Sequence, residues 1–257
     1  MKRYLLILVL LPLIALAMVE NPTFLASLSP TVSGCIFYAN GNNATESISG
    51  SPMTVNGSVT YTTGKVGNAF TFAAITDWLD FGTDVSLTNL TVEMWLWVDA
   101  STYDQWYGQT YFFSVSKGPD NGGDWISSFL RLSDQKLSPD LNWNGSSLNH
   151  IFDPTWPHDQ WFHIAFVFSS DESINLYYNG TNAGATTFSA LSSPFLNATN
   201  ITINSLKNYV NYSPSQGTRG IIGKIDEFAI YHRVLSPSEI LSIYNAENAG
   251  LSVTRTP

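Results

Sequence analysis

The chain has 257 residues, 44% of them apolar and 14% aromatic, with 11 basic against 20 acidic residues. That length and apolar content suit one large domain with a real core and argue against two full domains. A net charge of −9, with no basic run beyond Lys2-Arg3, excludes nucleic acid and anionic membrane surfaces as natural partners.

Lys2-Arg3 precedes an apolar run from Tyr4 to Val19, and Ala15-Leu16-Ala17 supplies a small-x-small cleavage site. The pattern predicts a secretory signal peptide over 1–17, because sixteen apolar residues fall short of the ~20 that a membrane span needs. Loss of Lys2 and Arg3 would leave 20 acidic against 9 basic residues, a net charge of −11. A polar arm follows over 18–34. It ends at Val32-Ser33-Gly34-Cys35, which has the form of a bacterial lipoprotein box, although a polar stretch from Glu20 separates it from the apolar run. The alternative is a buried cysteine in a first strand. Cys35 is the only cysteine, so no intrachain disulfide staples the fold.

From Cys35 onward, short apolar runs alternate with Gly, Asn, Asp and Ser, the rhythm of many antiparallel strands in one domain over 35–257. Predicted strands are 35–39, 59–62, 69–72, 78–81, 89–98, 111–116, 127–132, 136–141, 161–168, 174–178, 185–188, 200–203 and 220–232. The segment 89–98 is the most regular. Leu90, Val92, Met94, Leu96 and Val98 share one parity and form a core face, while Thr91, Glu93, Trp95 and Trp97 share the other. Asn179-Gly180 predicts a tight hairpin, since both residues tolerate positive φ. Ser236-Pro237-Ser238-Glu239 is a capping box with Pro at the first helical position. Ile240, Leu241 and Tyr244 then extend a short helix toward Gly250.

Five segments in order resemble the laminin-G-like jelly-roll family of the concanavalin A-like lectin and glucanase superfamily. They are Gly64 to Phe72, Leu90 to Trp95, Trp161 to Ala165, Leu176 to Gly180, and Gly223 to Tyr231 with Leu235-Ser236. The resemblance implies an all-β, two-sheet antiparallel jelly-roll sandwich with one short C-terminal helix. One sheet would be concave, with ligands bound on its face or at the loop rim. It further implies a structural Ca²⁺ held by Asp226 and by main chain near Asn40 and Gly67. Alternation along the strand places Asp226 with Phe228 and Ile230 and turns Glu227 to the opposite face. A carboxylate so placed needs either a cation or several N–H donors, and both remain open.

Ile225-Asp226-Glu227-Phe228 also resembles the acidic strand of laminarinase-type hydrolases. Retaining hydrolysis requires two carboxyl groups ~5–5.5 Å apart on one face. Lys224 stands where the nucleophile Glu would be, and Ala229 or Ile230 where the acid would follow, so the sequence predicts no enzyme. Glu93 has no evident carboxylate partner. Trp95, Trp97, Trp106, Trp125, Trp143 and Trp156, with Tyr107, are the candidate glycan-binding aromatics, since sugar rings stack on aromatic faces. Trp95 has core packing as its alternative. Asp120 to Asp124 is either a Ca²⁺ loop or an ordinary turn. His150, Asp153, His158 and Asp159 form either a Zn²⁺ cluster or a solvated loop, and His163 reads as a satisfied packing histidine. The loops 100–109 and 142–160 are the expected rim. Sequons start at Asn43, Asn56, Asn89, Asn144, Asn179, Asn197, Asn200 and Asn211.

These features predict a secreted or surface-exposed binding module, on a cell or virion, whose partner is a glycan or a glycosylated surface. A structural subunit of a filament, surface layer or virion is the alternative. In it, the arm over 18–34 would add a strand to a neighbour's sheet and drive self-assembly. A glycoside hydrolase is the second alternative.

Overall fold

The computed structural model describes residues 29–86, 88–102, 108–117, 125–143, 146–189, 197–205 and 219–257. The predicted signal peptide, most of the arm, Trp106, Tyr107, Asp120 to Asp124, Asn144 and Asn211 lie outside them.

The first strands in chain order are β1 (Thr31–Val32), β2 (Cys35–Ala39), β3 (Thr54–Asn56), β4 (Thr60–Thr63), β5 (Asn68–Phe72) and β6 (Trp78–Ser86). They are followed by β7 (Leu90–Val98), β8 (Gln109–Ser116), β9 (Trp125–Arg131), β10 (Lys136–Trp143), β11 (Ser146–Asn149) and β12 (Phe152–Thr155). The chain continues through β13 (Trp161–Phe168), β14 (Ser173–Tyr178), β15 (Thr181–Thr187), β16 (Asn197–Ile203) and β17 (Gly223–Tyr231). Helix α1 (Pro237–Asn248) and β18 (Thr254–Arg255) close it.

Two antiparallel sheets form the sandwich. Sheet I has the order β15-β14-β13-β7-β17-β5-β4, with β2 also on β17. Sheet II has the order β11-β10-β9-β8-β16-β6-β3, with β12 also on β10. The core lies between them and is built by alternation. Leu90, Val92, Met94, Leu96 and Val98 of β7 and the phenylalanines of β13 meet Phe113, Val115, Ile126, Leu130, Ile201 and Ile203 of sheet II. Each such side chain contributes about 1.5–3 kcal/mol on burial.

The second parity of β7 is also buried. Thr91, Glu93 and Trp95 lie on the outer face of sheet I, where a separate apolar cluster is formed. In it, Cys35, Ala165, Ala229 and Tyr231 pack against Leu235, Ile240 and Ile243 of the helical segment and Val253. Helix α1 starts where the capping box places it: Ser236 Oγ accepts from Glu239 N, and the Glu239 carboxylate accepts from Ser236 N at 2.8 Å. The hairpin turn has Asn179 at φ 48° and Gly180 at φ 75°. A Cβ on Gly180 would also lie 2.9 Å from the Tyr244 ring, so the turn and the helix dock only with glycine there.

Three expectations are corrected. First, β17 carries a bulge. Asp226 pairs with Trp95 but Ala229 pairs with Glu93, so one extra residue is accommodated, and Glu227 takes φ 54°. The bulge breaks the alternation. Asp226 therefore shares the outer face with Trp95, not the core face of Phe228 and Ile230, and Glu227 does not turn to the opposite side. Second, the segment 142–160 is not a bare rim loop, because β11 and β12 lie within it. Third, the end of the arm is not free. Thr31–Val32 pairs in parallel with Thr254–Arg255, and Cys35 N donates to Thr256 O.

Candidate ligand-binding face

On the outer face of sheet II, the register aligns one residue from each of five neighbouring strands. Asn200 of β16 pairs with Gly82 of β6 and with Ser116 of β8. Ser116 pairs with Trp125 of β9, and Trp125 with Asn142 of β10. Their chain neighbours Ile201, Val115, Ile126 and Leu141 face the core, so alternation turns this row outward. Asn200 Nδ2 donates to Asp80 Oδ1 and to Phe81 O. Asn200 Oδ1, Ser116 Oγ and Trp125 Nε1 are buried and have no hydrogen-bond partner among the described residues. Leaving such a group unmade costs about 1–3 kcal/mol each, so three adjacent ones give this row an unmet polar capacity. The surroundings are polar as well. Ser114 Oγ and Thr202 Oγ1 are 2.6 Å apart, and Tyr111 OH donates to Asp140 Oδ2 at 2.9 Å. Burial pushes the Asp140 carboxyl up, against the opposing pull of Tyr111 and Arg219. Trp125 rests on Tyr111 and Phe129, which fixes its ring.

The other concentration of polar groups lies under α1, on the outer face of sheet I. Arg255 of β18 is buried and bonds Glu93 and Glu247 through Nη2 and Glu227 through Nη1. Its guanidinium carbon sits 4.2 Å from the Tyr38 ring centroid, and Tyr38 OH donates to Glu227 at 2.7 Å. His163 Nε2 lies 3.1 Å from Glu93 Oε2, and Trp95 Nε1 donates to Glu247 at 2.7 Å. Burial alone would raise the Glu93 carboxyl, but Arg255 and His163 outweigh it and hold it below its usual range. Glu247 is pushed well above its usual value by burial, reinforced by Glu93 and Glu227 against the pull of Arg255. Glu93, His163 and Glu247 bring ligand atoms within 4.8 Å of one another, but Arg255 already holds the cationic position among them. Each of these carboxylates is buried and engaged, and none faces solvent as a hydrolytic acid or nucleophile would.

The family described as the concanavalin A-like lectin/glucanases superfamily, laminin G type, matches residues 72–241, more than half of the chain. The chain belongs to this superfamily. No curated protein sequence matches it. Among solved structures it is similar to domain 4 of AbnA, a GH43 extracellular arabinanase from Geobacillus stearothermophilus, in complex with arabinotriose. The TM-score is 0.64 at 21% identity, covering 82% of this chain and 98% of that one. It is also similar to the receptor-binding domain of a botulinum neurotoxin C/D mosaic serotype, with TM-score 0.62, 17% identity, and 82% and 51% coverage. A heptameric SAP-like pentraxin from Limulus polyphemus gives TM-score 0.53, 17% identity, and 70% and 79% coverage. The chain thus spans nearly all of the arabinanase domain and about half of the toxin domain. At these identities the likeness establishes the superfamily's jelly-roll sandwich.

Within that superfamily fold, the predicted glycan aromatics separate. Trp125 stands in the outward row. Trp95 is 1% exposed under α1, where it stacks on Tyr244. Trp156 is also 1% exposed and belongs to the core beside Phe162, contrary to its expected place in a rim loop. Trp97 is half-buried on sheet I, and Trp143 ends β10. Of the sequons, Asn43 is exposed, whereas Asn200 is 6% exposed and donates through its amide nitrogen. Asn56 Nδ2 is buried, the Asn89 and Asn179 side chains accept from Ser170 N and His163 N, and Asn197 lies in β16.

His150, Asp153, His158 and Asp159 do not converge. Asp153 faces Lys136, Asp159 accepts from Ala100 N, and the two histidines pack on Phe152 and Trp156. His163 is buried as expected but not fully satisfied, since its Nδ1 has no partner among the described residues. Cys35 is buried, its Sγ donates to Phe37 O, and burial pushes its thiol up to about 12. Sequence reasoning did not single out Ser116, and assigned Asn200 only as a sequon. The available signal was the alternation of Ser114 and Ser116 with Phe113 and Val115 along β8.

The residues expected to hold Ca²⁺ follow a different pattern. Asp226 accepts from Lys65 N, Val66 N and Glu227 N at 2.8–3.0 Å. Burial, reinforced by Glu227, pushes its carboxyl up to about 7. Asn40 Oδ1 accepts from Asn42 N, and Gly67 O from Gly64 N. A Cβ on Gly64 would fall 2.4 Å from Asp226 Oδ2, so loop and carboxylate are in direct contact. Glu46 and Asp77 each accept three main-chain N–H groups in the same way.

Proposed function

We propose that the protein is a non-catalytic binding module for carbohydrate, working outside the cell, with the Asn200–Ser116–Trp125 row as the floor of its site. The observation that carries this reading is the set of three neighbouring buried polar atoms on the outer face of sheet II that have no partner among the described residues, one acceptor, one hydroxyl and one indole N–H. Hydroxyls can both donate and accept, and a saccharide presents them in a row. The half-buried indole adds a ring against which a sugar face can lie. The arabinotriose complex of the structurally similar arabinanase domain supports a saccharide as the ligand class. An extracellular setting is supported by that same relative and by the sequence pattern over 1–17. No described helix is long and apolar enough to cross a membrane. For Asp226, we favour a carboxylate that staples the 64–66 loop through N–H donors over a calcium ligand, because its two oxygens and the Gly67 carbonyl already accept hydrogen bonds.

A glycan array probed with the full chain tests the reading. Retention of one or more neutral glycans is expected, with at least tenfold weaker binding for Ser116→Ala and Trp125→Ala and unchanged binding in chelator. Absence of any retained glycan would overturn the carbohydrate assignment, and loss of binding in chelator would restore the calcium one.

A further inference from the structure

A second row crosses the outer face of sheet I, on the far side of the sandwich, just beyond the part that α1 covers. Thr60 of β4 pairs with Thr71 of β5, Thr71 with Lys224 of β17, Lys224 with Trp97 of β7, and Trp97 with Trp161 of β13. Phe70, Phe72, Ile225, Leu96, Val98 and Phe162 alternate with them into the core, so all five face outward. The four from Thr71 to Trp161 are half-buried, and Thr60 is exposed. At about 4.8 Å per strand, the row spans about 19 Å, the length of a short oligosaccharide.

Charge distinguishes this row from an ordinary aromatic surface. Arg131, Lys136, Arg233 and Arg255 all have carboxylate partners. Lys65, Lys117 and Lys224 have none among the described residues, and Lys65 and Lys224 stand on this face. Lys224 Nζ donates to Thr63 O and lies 5.8 Å from the Trp97 ring centroid. Lys65 Nζ donates to Asn248 Oδ1 and lies 4.5 Å from the Trp95 ring, one step along the same face of β7. An ammonium has three donors, so each keeps two to offer. In a chain of net charge −9, these two cations stand beside two indoles on one face. The rest of the chain's charge is screened beyond about 8 Å at physiological salt.

We propose that this row binds an acidic saccharide, with Trp97 and Trp161 as the platform for a sugar ring and Lys224, assisted by Lys65, taking its carboxylate or sulfate. The choice of a saccharide rests on the function proposed above, while the charge preference rests on these residues alone. The two rows lie on opposite faces, so their failures can be told apart.

The test is calorimetric titration of the full chain with a galacturonate hexamer, its methyl ester as a neutral control, and a chondroitin sulfate hexasaccharide. At least one acidic probe should bind tenfold or more tightly than the ester, and its affinity should fall as salt rises. The two acidic probes together show whether carboxylate or sulfate is preferred. Lys224→Met should abolish the preference, and Trp97→Ala or Trp161→Ala should abolish binding with the melting temperature kept. Ser116→Ala should leave it intact. Equal binding of acid and ester, no binding of either acidic probe at millimolar concentration, or an unchanged preference in Lys224→Met would overturn the proposal. So would its loss in Ser116→Ala.

Discussion

Trp125 and Trp156 are the same residue type in similar polar sequence contexts, yet one lies in the outward row and the other in the core. Nothing local separates them. Trp156 is buried because β12 and the segment after it fold back over Phe162, a tertiary event that no spacing in the sequence encodes. Trp156→Ala should therefore cost about 3–5 kcal/mol of stability, measured by urea unfolding, and Trp125→Ala clearly less. Ser116 was hard to find for the complementary reason. A serine is inconspicuous in a strand, and its role depends on the register that brings Asn200 and Trp125 beside it.

Among the elements, those with strong local chemistry were legible. The strand over 161–168 has the predicted bounds, β7 alternates as read, and the hairpin at Asn179-Gly180 and the capped helix form where their residues place them. The two-residue strands β1 and β18, the edge strand β3, and β11 and β12 were not, because they are too short or too polar to show a period. Strand β17 was legible in position but not in facing, since a single bulged residue reverses every assignment before it.

Helix α1 also gives a pH test. Hydrogen bonding by Arg233 holds Glu239 down at about 2, against an ordinary value of 4.5. A depressed folded value means the contribution is present above the unfolded pKa and lost as pH falls through the folded one. Between pH 5 and pH 2 the wild type should therefore lose more stability than Glu239→Gln, as read from denaturant midpoints. Equal losses would mean that the pair contributes nothing to the helix start.

For the whole molecule, the sandwich is closed on the outer face of sheet I by α1 and β18, and Arg255 ties that closure together. It joins β18 to Glu93 of β7, Glu227 of β17 and Glu247 of α1. Arg255→Leu would strand three buried carboxylates without their cation, and should lower stability by about 3–5 kcal/mol or prevent folding. A loss below 1 kcal/mol in chemical unfolding would show that the hub is peripheral. This closure fills one face of the sandwich with ionic and apolar packing. On the outer face of sheet II, Asn200, Ser116 and Trp125 keep their unpaired polar atoms in one row.

The most direct test of the row on sheet II as the carbohydrate site is an NMR titration of the ¹⁵N-indole resonances with the tightest neutral glycan found on the array. The account predicts that the Trp125 Nε1–H signal moves on binding while those of Trp95 and Trp156 stay in place. A neutral glycan that binds without moving Trp125 would contradict that assignment.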